Sequence, residues 1–342
     1  MVRVRVRSAV TGSVVAALVL AGCSSGGSSG GASSLDTIPA AVPATSPSQT
    51  AALPGTTTTT VSSPLTATVV VQSTRTLVLA ATGPDRLVLL DLDDLSRAAR
   101  SVPLPAPATQ VELAGNGGSV LVALPGAVAR VDTASGALTS TSVDGDVTAV
   151  LQLSDGRVAA GLGSGTTVLL GPDGTVQASI GGLAGVDDLV GSAGAVVAVD
   201  RQQTAAAVLD LGSDSLGLAL RAGDGATNAV ADRYGRVLVV DTTGGELIAL
   251  GADPLLMRQR YPVPGAPYGI AYDPTTDLAW VTLTATNQVV GYDVRGGEPV
   301  ERYRFDTVTQ PNSVAVDPAG GAVLVSSATG GGVQRIVPGA RG

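Results

Sequence analysis

Seven polar side chains recur along this 342-residue chain at a nearly constant interval: Thr68, Thr109, Thr148, Asp187, Asn228, Tyr268 and Asn312. Each stands two residues before an apolar anchor, namely Val70, Val111, Val150, Leu189, Val230, Ile270 and Val314. Brought to one place, they offer hydroxyls on one side and a carboxylate, two amides and a phenol on the other. That is the chemistry of hydrogen bonding to a small polar ligand. Asp187, Asn228 and Asn312 could also hold one calcium ion, with water completing the oxygen shell. Asp187 alone carries charge at this level, so such a site would be weak, and no general base accompanies it.

Composition excludes other chemistries. The chain has no histidine, hence no Ser-His-Asp triad and no imidazole base. Its one cysteine, Cys23, forms neither an internal disulfide nor a thiolate zinc site. A Gly-x-Ser-x-Gly match at Gly26 to Gly30 lacks a preceding strand, a following helix and a histidine partner. Asp91-Leu92-Asp93-Asp94 begins like a calcium loop, but Ser96 holds the place where the turn needs glycine. Asp144-Gly145-Asp146 reads as a hairpin turn. Gly161 to Gly165 lacks the helix that a phosphate-binding loop requires.

The elements that must position these residues follow from the same spacing. Successive anchors lie 41, 39, 39, 41, 40 and 44 residues apart. Between them run short segments of Val, Leu, Ile and Thr, broken by Gly, Asp, Asn and Pro, which is strand and turn chemistry. In the fifth unit the strands read as Asn228 to Ala231, Arg236 to Val240, Glu246 to Leu250 and Leu256 to Tyr261. A period of this size with four strands per unit predicts an all-β fold, a seven-bladed β-propeller of four-stranded blades. The last unit supplies three strands, and the β-branched run Thr56 to Ser62 is expected to add the fourth and close the ring. The first strand of each blade would then line a central channel. Asp187, Asn228, Tyr268 and Asn312 become the candidate ligand-binding residues at its mouth. Asp232, Asp273 and Asp317 recur at one turn, where a carboxylate accepts turn amide protons. All eight aromatic residues lie between Tyr234 and Phe305 and are expected to pack between blades.

Two stretches, Pro267-Tyr268-Gly269-Ile270-Ala271-Tyr272-Asp273-Pro274 and Pro311-Asn312-Ser313-Val314-Ala315-Val316-Asp317-Pro318, resemble the YVTN/NHL-like propellers. The resemblance covers Leu65 to about Val337 and is sharp in the last three units. It implies a fold that hosts many functions. The calcium lactonases of this fold share an early Glu-Gly-Pro motif; here Glu112 is the only glutamate before Glu246 and lacks that context. Streptogramin-lyase-like propellers use a histidine, which is absent. Two function classes remain: a non-catalytic binding or scaffold module, and a calcium-dependent propeller hydrolase of the lactonase type. The first is favoured, with no cofactor beyond calcium.

The N-terminus reads as an address. Arg3, Arg5 and Arg7 precede an apolar run from Ala9 to Ala21, the pattern of a secretory signal. Leu20-Ala21-Gly22-Cys23 resembles the lipobox of bacterial lipoproteins. It implies cleavage before Cys23, a lipid on its sulfur, and a place outside the cell on the outer face of the cytoplasmic membrane. The expected domains are a signal peptide over 1–22, a flexible tether over 23–55 and the propeller over 56–342. The net charge of -8 argues against binding nucleic acid. The expected partners are the membrane, through the lipid on Cys23, and an envelope protein or glycan; a monomer is expected. Arg258 and Arg260, with Arg302 and Arg304, fall on two outer strands. They could touch an anionic surface, or simply protect exposed sheet edges.

Overall fold

The computed structural model describes residues 35–50, 52–115 and 117–339. The segment read from sequence as a secretory signal, and Cys23, lie outside the described residues. Among the described residues no helix is long and apolar enough to cross a membrane.

The short apolar segments form antiparallel strands grouped into sheets around a central channel. β1 is Thr56–Thr58. β2 (Leu65–Val71), β3 (Thr76–Ala81), β4 (Arg86–Asp91) and β5 (Arg100–Pro103) make the first four-stranded sheet. β6 (Gln110–Leu113), β7 (Ser119–Asp132), β8 (Leu138–Gln152), β9 (Val158–Leu162), β10 (Thr167–Leu170) and β11 (Val176–Ile180) make a six-stranded sheet. Four-stranded sheets follow from β12 (Asp188–Ser192), β13 (Ala195–Asp200), β14 (Ala205–Asp210) and β15 (Ser215–Arg221). The next comprises β16 (Ala226–Ala231), β17 (Arg236–Asp241), β18 (Glu246–Ala252) and β19 (Leu255–Pro262). Then come β20 (Pro267–Asp273), β21 (Leu278–Leu283), β22 (Gln288–Asp293) and β23 (Val300–Asp306). The last sheet joins β24 (Pro311–Asp317), β25 (Ala322–Ser327) and β26 (Val333–Ile336) to β1.

The fold is thus an all-β propeller of six blades, and the expected count of seven is corrected. The reason lies in β7 and β8. Pro125-Gly126 and Asp144-Gly145-Asp146 carry turn chemistry, yet both stay inside strands. The second was read as a hairpin turn. Instead β8 runs unbroken, pairing with β7 through its first half and with β9 from Val147 onward. Two repeat units therefore merge into one double-width blade. Around the channel β2, β6, β8, β12, β16, β20 and β24 follow one another, and β24 returns to β2.

β1 closes the last sheet in antiparallel register, Thr56 opposite Arg335 and Thr58 opposite Val333. Only Thr56–Thr58 of the expected run forms strand; Val61 instead packs into the core beside Leu65 and Leu324. The backbone of β1 lies so near β26 that Gly332, at φ 80°, has no room for a side chain beside Thr58.

The core sits between blades. Val, Leu and Ala of neighbouring sheets interlock at each junction, and a further cluster around Leu121, Val147 and Leu170 fills the bend of the wide blade. Larger residues take over near the C-terminal end. Trp280 stacks on Tyr303 and Phe305, with ring centroids 5.8 and 6.3 Å away, and Tyr261 meets Tyr292 edge-on at 5.6 Å. Trp280 is opposite Gly291 in the ladder, where the ring leaves no space for a side chain.

The recurring turn aspartates do as expected at two positions. Asp232 accepts from the amides of Tyr234 and Arg236, and Asp273 from that of Thr275. Asp317 does more: its buried carboxylate accepts from Arg75 and Gln72 of the first blade, joining the two ends of the ring.

The stretch read as a tether is held against the ring from residue 35 onward. Ile38 N–H donates to Gln202 O at 2.8 Å. Ala44 N–H donates to Thr284 Oγ1, and Ser46 bridges Thr284 and Gln310. Asn287 donates to Pro47 O, Gln49 to Thr307 O, and Gln310 to Ala44 O. All these partners lie in turns between second and third strands or in connections between blades, on one face of the propeller, called here the upper face. Residues 35–50 form a strap across the last four blades. Its extended backbone is held through its own amides and carbonyls, so it needs no hydrophobic period.

Candidate functional site

The channel encloses a cavity of about 830 Å³. Asp187, Asn228, Tyr268 and Asn312 all line it, with Thr68, Thr109 and Thr148. The structure gives these seven unequal roles. Thr109 Oγ1 donates to Val147 O at 2.9 Å, Thr148 Oγ1 to Val186 O at 2.5 Å, and Asn228 Nδ2 to Tyr268 O at 2.9 Å. Each bond reaches the next strand around the channel, so these side chains fasten neighbours together. Thr68 is buried and donates to Ser326 Oγ at 2.6 Å, across the junction of the first and last blades. Asp187 and Asn312 keep capacity to spare. One Asp187 oxygen accepts from Arg201 N–H at 2.8 Å, and the Asn312 carbonyl accepts from Gln310 at 2.9 Å. The second Asp187 oxygen, the Asn312 amide nitrogen and the Tyr268 hydroxyl have no partner among the described residues.

Side chains that the spacing did not single out complete the site. Arg201, in the turn after β13, donates through Nε to Thr227 O and through Nη2 to Asn228 Oδ1, both at 2.9 Å. This guanidinium is the only cation lining the cavity among the described residues. It donates to the Asn228 oxygen that a calcium ion would also use, which sets a positive charge beside Asp187 and Asn228.

Deeper in the channel, Gln110 Nε2 donates to Asp188 Oδ1 at 2.8 Å, while Gln110 Oε1 accepts from Val150 N–H at 2.7 Å. Asp188 Oδ2 accepts from Ala229 N–H at 3.0 Å. An inner strand has one edge without a sheet partner, and its amides need acceptors. Gln110 and Asp188 supply them, tying together β6, β8, β12 and β16. Glu112 lies two residues beyond Gln110 on the same strand, and among the described residues its carboxylate accepts only from Leu113 N–H.

Burial raises all three channel carboxylates. Asp187 and Asp188 are pushed up by desolvation, against the pull of amide donors and of Arg201. Glu112 reaches about 7, through burial first, opposed by the Leu113 amide and assisted by the charge of Asp188. A carboxyl poised there changes charge near neutrality. One signal in the sequence could have found this layer. Side chains alternate along a strand, and Gln110, Glu112 and Asp188 hold the positions between those chosen beside the anchors.

The outer strands tell a simpler story. Arg260 pairs with Glu246 at 2.6 Å, Arg302 with Asp293 at 3.1 Å, and Arg304 with Glu301 at 2.7 Å. Arg258 is exposed and has no ion pair among the described residues. Most of this positive charge is neutralised within its own blade.

No family model matches the chain, and no curated protein matches it. Solved structures do, at 1371 chains, too many for the likeness to indicate a function. The hydrazine synthase of Kuenenia stuttgartiensis is similar with a TM-score of 0.69 at 13% identity, over 82% of this chain and 97% of that one. Streptogramin B lyase gives 0.67 at 13% identity, over 80% and 93%. A chain of the mitotic checkpoint complex gives 0.69 at 11% identity, over 88% and 96%. At such identities the likeness concerns architecture, and what this chain shares with all three is the β-propeller fold.

Proposed function

We propose that this protein is a non-catalytic binding module of the bacterial cell envelope, anchored by lipid on Cys23, whose channel takes a small polar ligand. The supporting observation is the unequal use of the mouth residues. Four of the seven bond to neighbouring strands or blades, whereas the Asp187 carboxylate, the Asn312 amide and the Tyr268 hydroxyl line the same cavity with bonding capacity left over among the described residues. Three carboxylates against one guanidinium favour a neutral or cationic ligand over an anion. A sugar of the envelope fits this donor and acceptor set. Hydrolysis of the lactonase type draws less support, because the Arg201 guanidinium already donates to the Asn228 oxygen.

The test is calorimetry of the protein with envelope sugars and, separately, with calcium. Wild type is compared with Asp187→Ala and Asn228→Ala. Sugar binding lost in Asp187→Ala supports the reading. Tight calcium binding with lactone hydrolysis, lost in both variants, would replace it with the enzyme. For the anchor, Cys23→Ser should abolish incorporation of labelled lipid and release the protein from membranes.

A further inference from the structure

Three large apolar residues of the strap face outward: Leu35 is 43% exposed, Ile38 42% and Val42 72%. The strap also carries Pro39 and Pro43 and a single charge, Asp36. The strap is held to the ring by the hydrogen bonds to Gln202, Thr284, Asn287 and Gln310, with these side chains left exposed. Elsewhere on the upper face large apolar side chains stay in the core. Val263, Leu283 and Val308, at the ends of its connections, are buried. The apolar exposure of this face is therefore concentrated on one segment.

What covers it follows from chain length. Cys23 lies twelve residues before Leu35. Fully extended, those twelve residues reach about 40 Å, and as a Gly/Ser-rich coil their root-mean-square reach is roughly 20 Å. The radius of gyration of a domain of this size is also about 19 Å. A lipid on Cys23 would thus hold Leu35 at a root-mean-square distance of about one such radius from the anchor, and at no more than about two. At that effective concentration a weak contact suffices to select an orientation, because the acyl chains already supply the affinity.

We propose that the strap is a membrane-facing surface, with Leu35, Ile38 and Val42 seated in the interfacial layer of the bilayer that holds Cys23. The upper mouth of the channel then faces the lipid. The inference rests on the lipid-anchor reading of Cys23. It needs no anionic lipid, since the protein is acidic and the contact is apolar.

The experiment separates the two. The chain from Cys23 onward, which keeps every described residue, is coupled through its only thiol to a maleimide lipid in phosphatidylcholine vesicles. The attachment is chemical, so the result is independent of whether cells acylate Cys23; mass spectrometry of the native protein answers that question. Trp280, the only native tryptophan, is 1% exposed and buried between blades. Val42→Trp therefore reports on the strap, and Tyr234→Trp on the opposite face, where Tyr234 sits in a first-to-second-strand turn. With lipids brominated on the upper acyl chain, Val42→Trp should be quenched at least about twofold more than Tyr234→Trp. Adding Leu35→Ser and Ile38→Ser should bring it down to the Tyr234→Trp level. In the unsubstituted protein, amide exchange over 35–50 should slow on vesicles relative to the soluble form. Equal quenching at both positions, no quenching at either, indifference to the serine substitutions, or unchanged exchange would each overturn the proposal.

Discussion

Replacing Arg75 by methionine should loosen the junction of the first and last blades, and the loss should fade in acid. Arg75 donates to both oxygens of Asp317 at 2.8 Å and also pairs with Asp93 at the surface. The Asp317 side chain is fully buried, while that of Arg75 is 31% exposed. Breaking a buried pair by removing one partner costs about 3–5 kcal/mol. Partial exposure of the arginine and the surviving Gln72 amide reduce this to roughly 2–3 kcal/mol. For a domain of this size that is a fall in Tm of roughly 4–8 °C. Methionine keeps the stem, and Arg75 sits at φ 46°, a conformation as strained for one side chain as for the other. The sign of the pH dependence follows from Asp317, whose carboxyl is held well below its usual range, first by Arg75. A depressed carboxylate contributes stability that is complete above its unfolded value near 3.9 and is lost as pH falls toward the folded one. The gap between wild type and Arg75→Met should therefore narrow by about 1 kcal/mol between pH 5 and pH 3. Urea titrations at both pH values, with Asp317→Asn and the double variant, measure it. A constant gap, or a Tm change below about 1 °C at pH 7, would refute the argument.

Other outcomes follow from single contacts. Gly291→Ala would place its Cβ 2.9 Å from the Trp280 ring, which Tyr303 and Phe305 hold in place; it should cost about 1–3 kcal/mol, read as a lower Tm and an altered near-UV tryptophan signal. Glu112→Gln should be stabilising at pH 8 and neutral at pH 4. A carboxyl raised from 4.5 to about 7 on folding removes stability as pH climbs through that window, and channel water limits the gain to about 1–2 kcal/mol. Removing residues 35–50 while rejoining the chain should lower Tm by roughly 5 °C. Removing 24–34 should leave it unchanged, and equal effects of the two deletions would show that the strap bonds contribute nothing.

The ring was legible because burial in a propeller repeats. Each inner strand needs an apolar anchor, so Val70 through Val314 betrayed the period, and β16 to β19 begin and end within two residues of the segments read from sequence. The blade count was not legible. Turn residues state what a backbone can do, and the ladder around Asp144-Gly145-Asp146 kept those residues extended within β8. Half of the channel was missed for a related reason. The residues two before the anchors share the anchors' direction, and Thr109 and Thr148 consequently point at the adjoining strand. Gln110, Glu112 and Asp188 lie in between, and Arg201 comes from a turn that no repeat marks. The strap escaped because extended chain bound through its own backbone leaves no pattern in composition.

The pairing of Thr56 with Arg335 also sets an order in time. Among the described strands β1 is made first, and its partner β26 is made last. Synthesis must reach Ile336 before the final blade can acquire its fourth strand, and the strap must wait for Gln310 as well. Long-range pairings of this kind are slow, because the loop-closure entropy is spent before the contact forms. Until then β1 is a short threonine strand with both edges free, and the strap exposes Leu35, Ile38 and Val42 on an unanchored chain. An emerging polypeptide in this condition is open to mispairing with a second copy. The step most exposed to aggregation, or to capture by a chaperone, is therefore the pairing of β1 with β26.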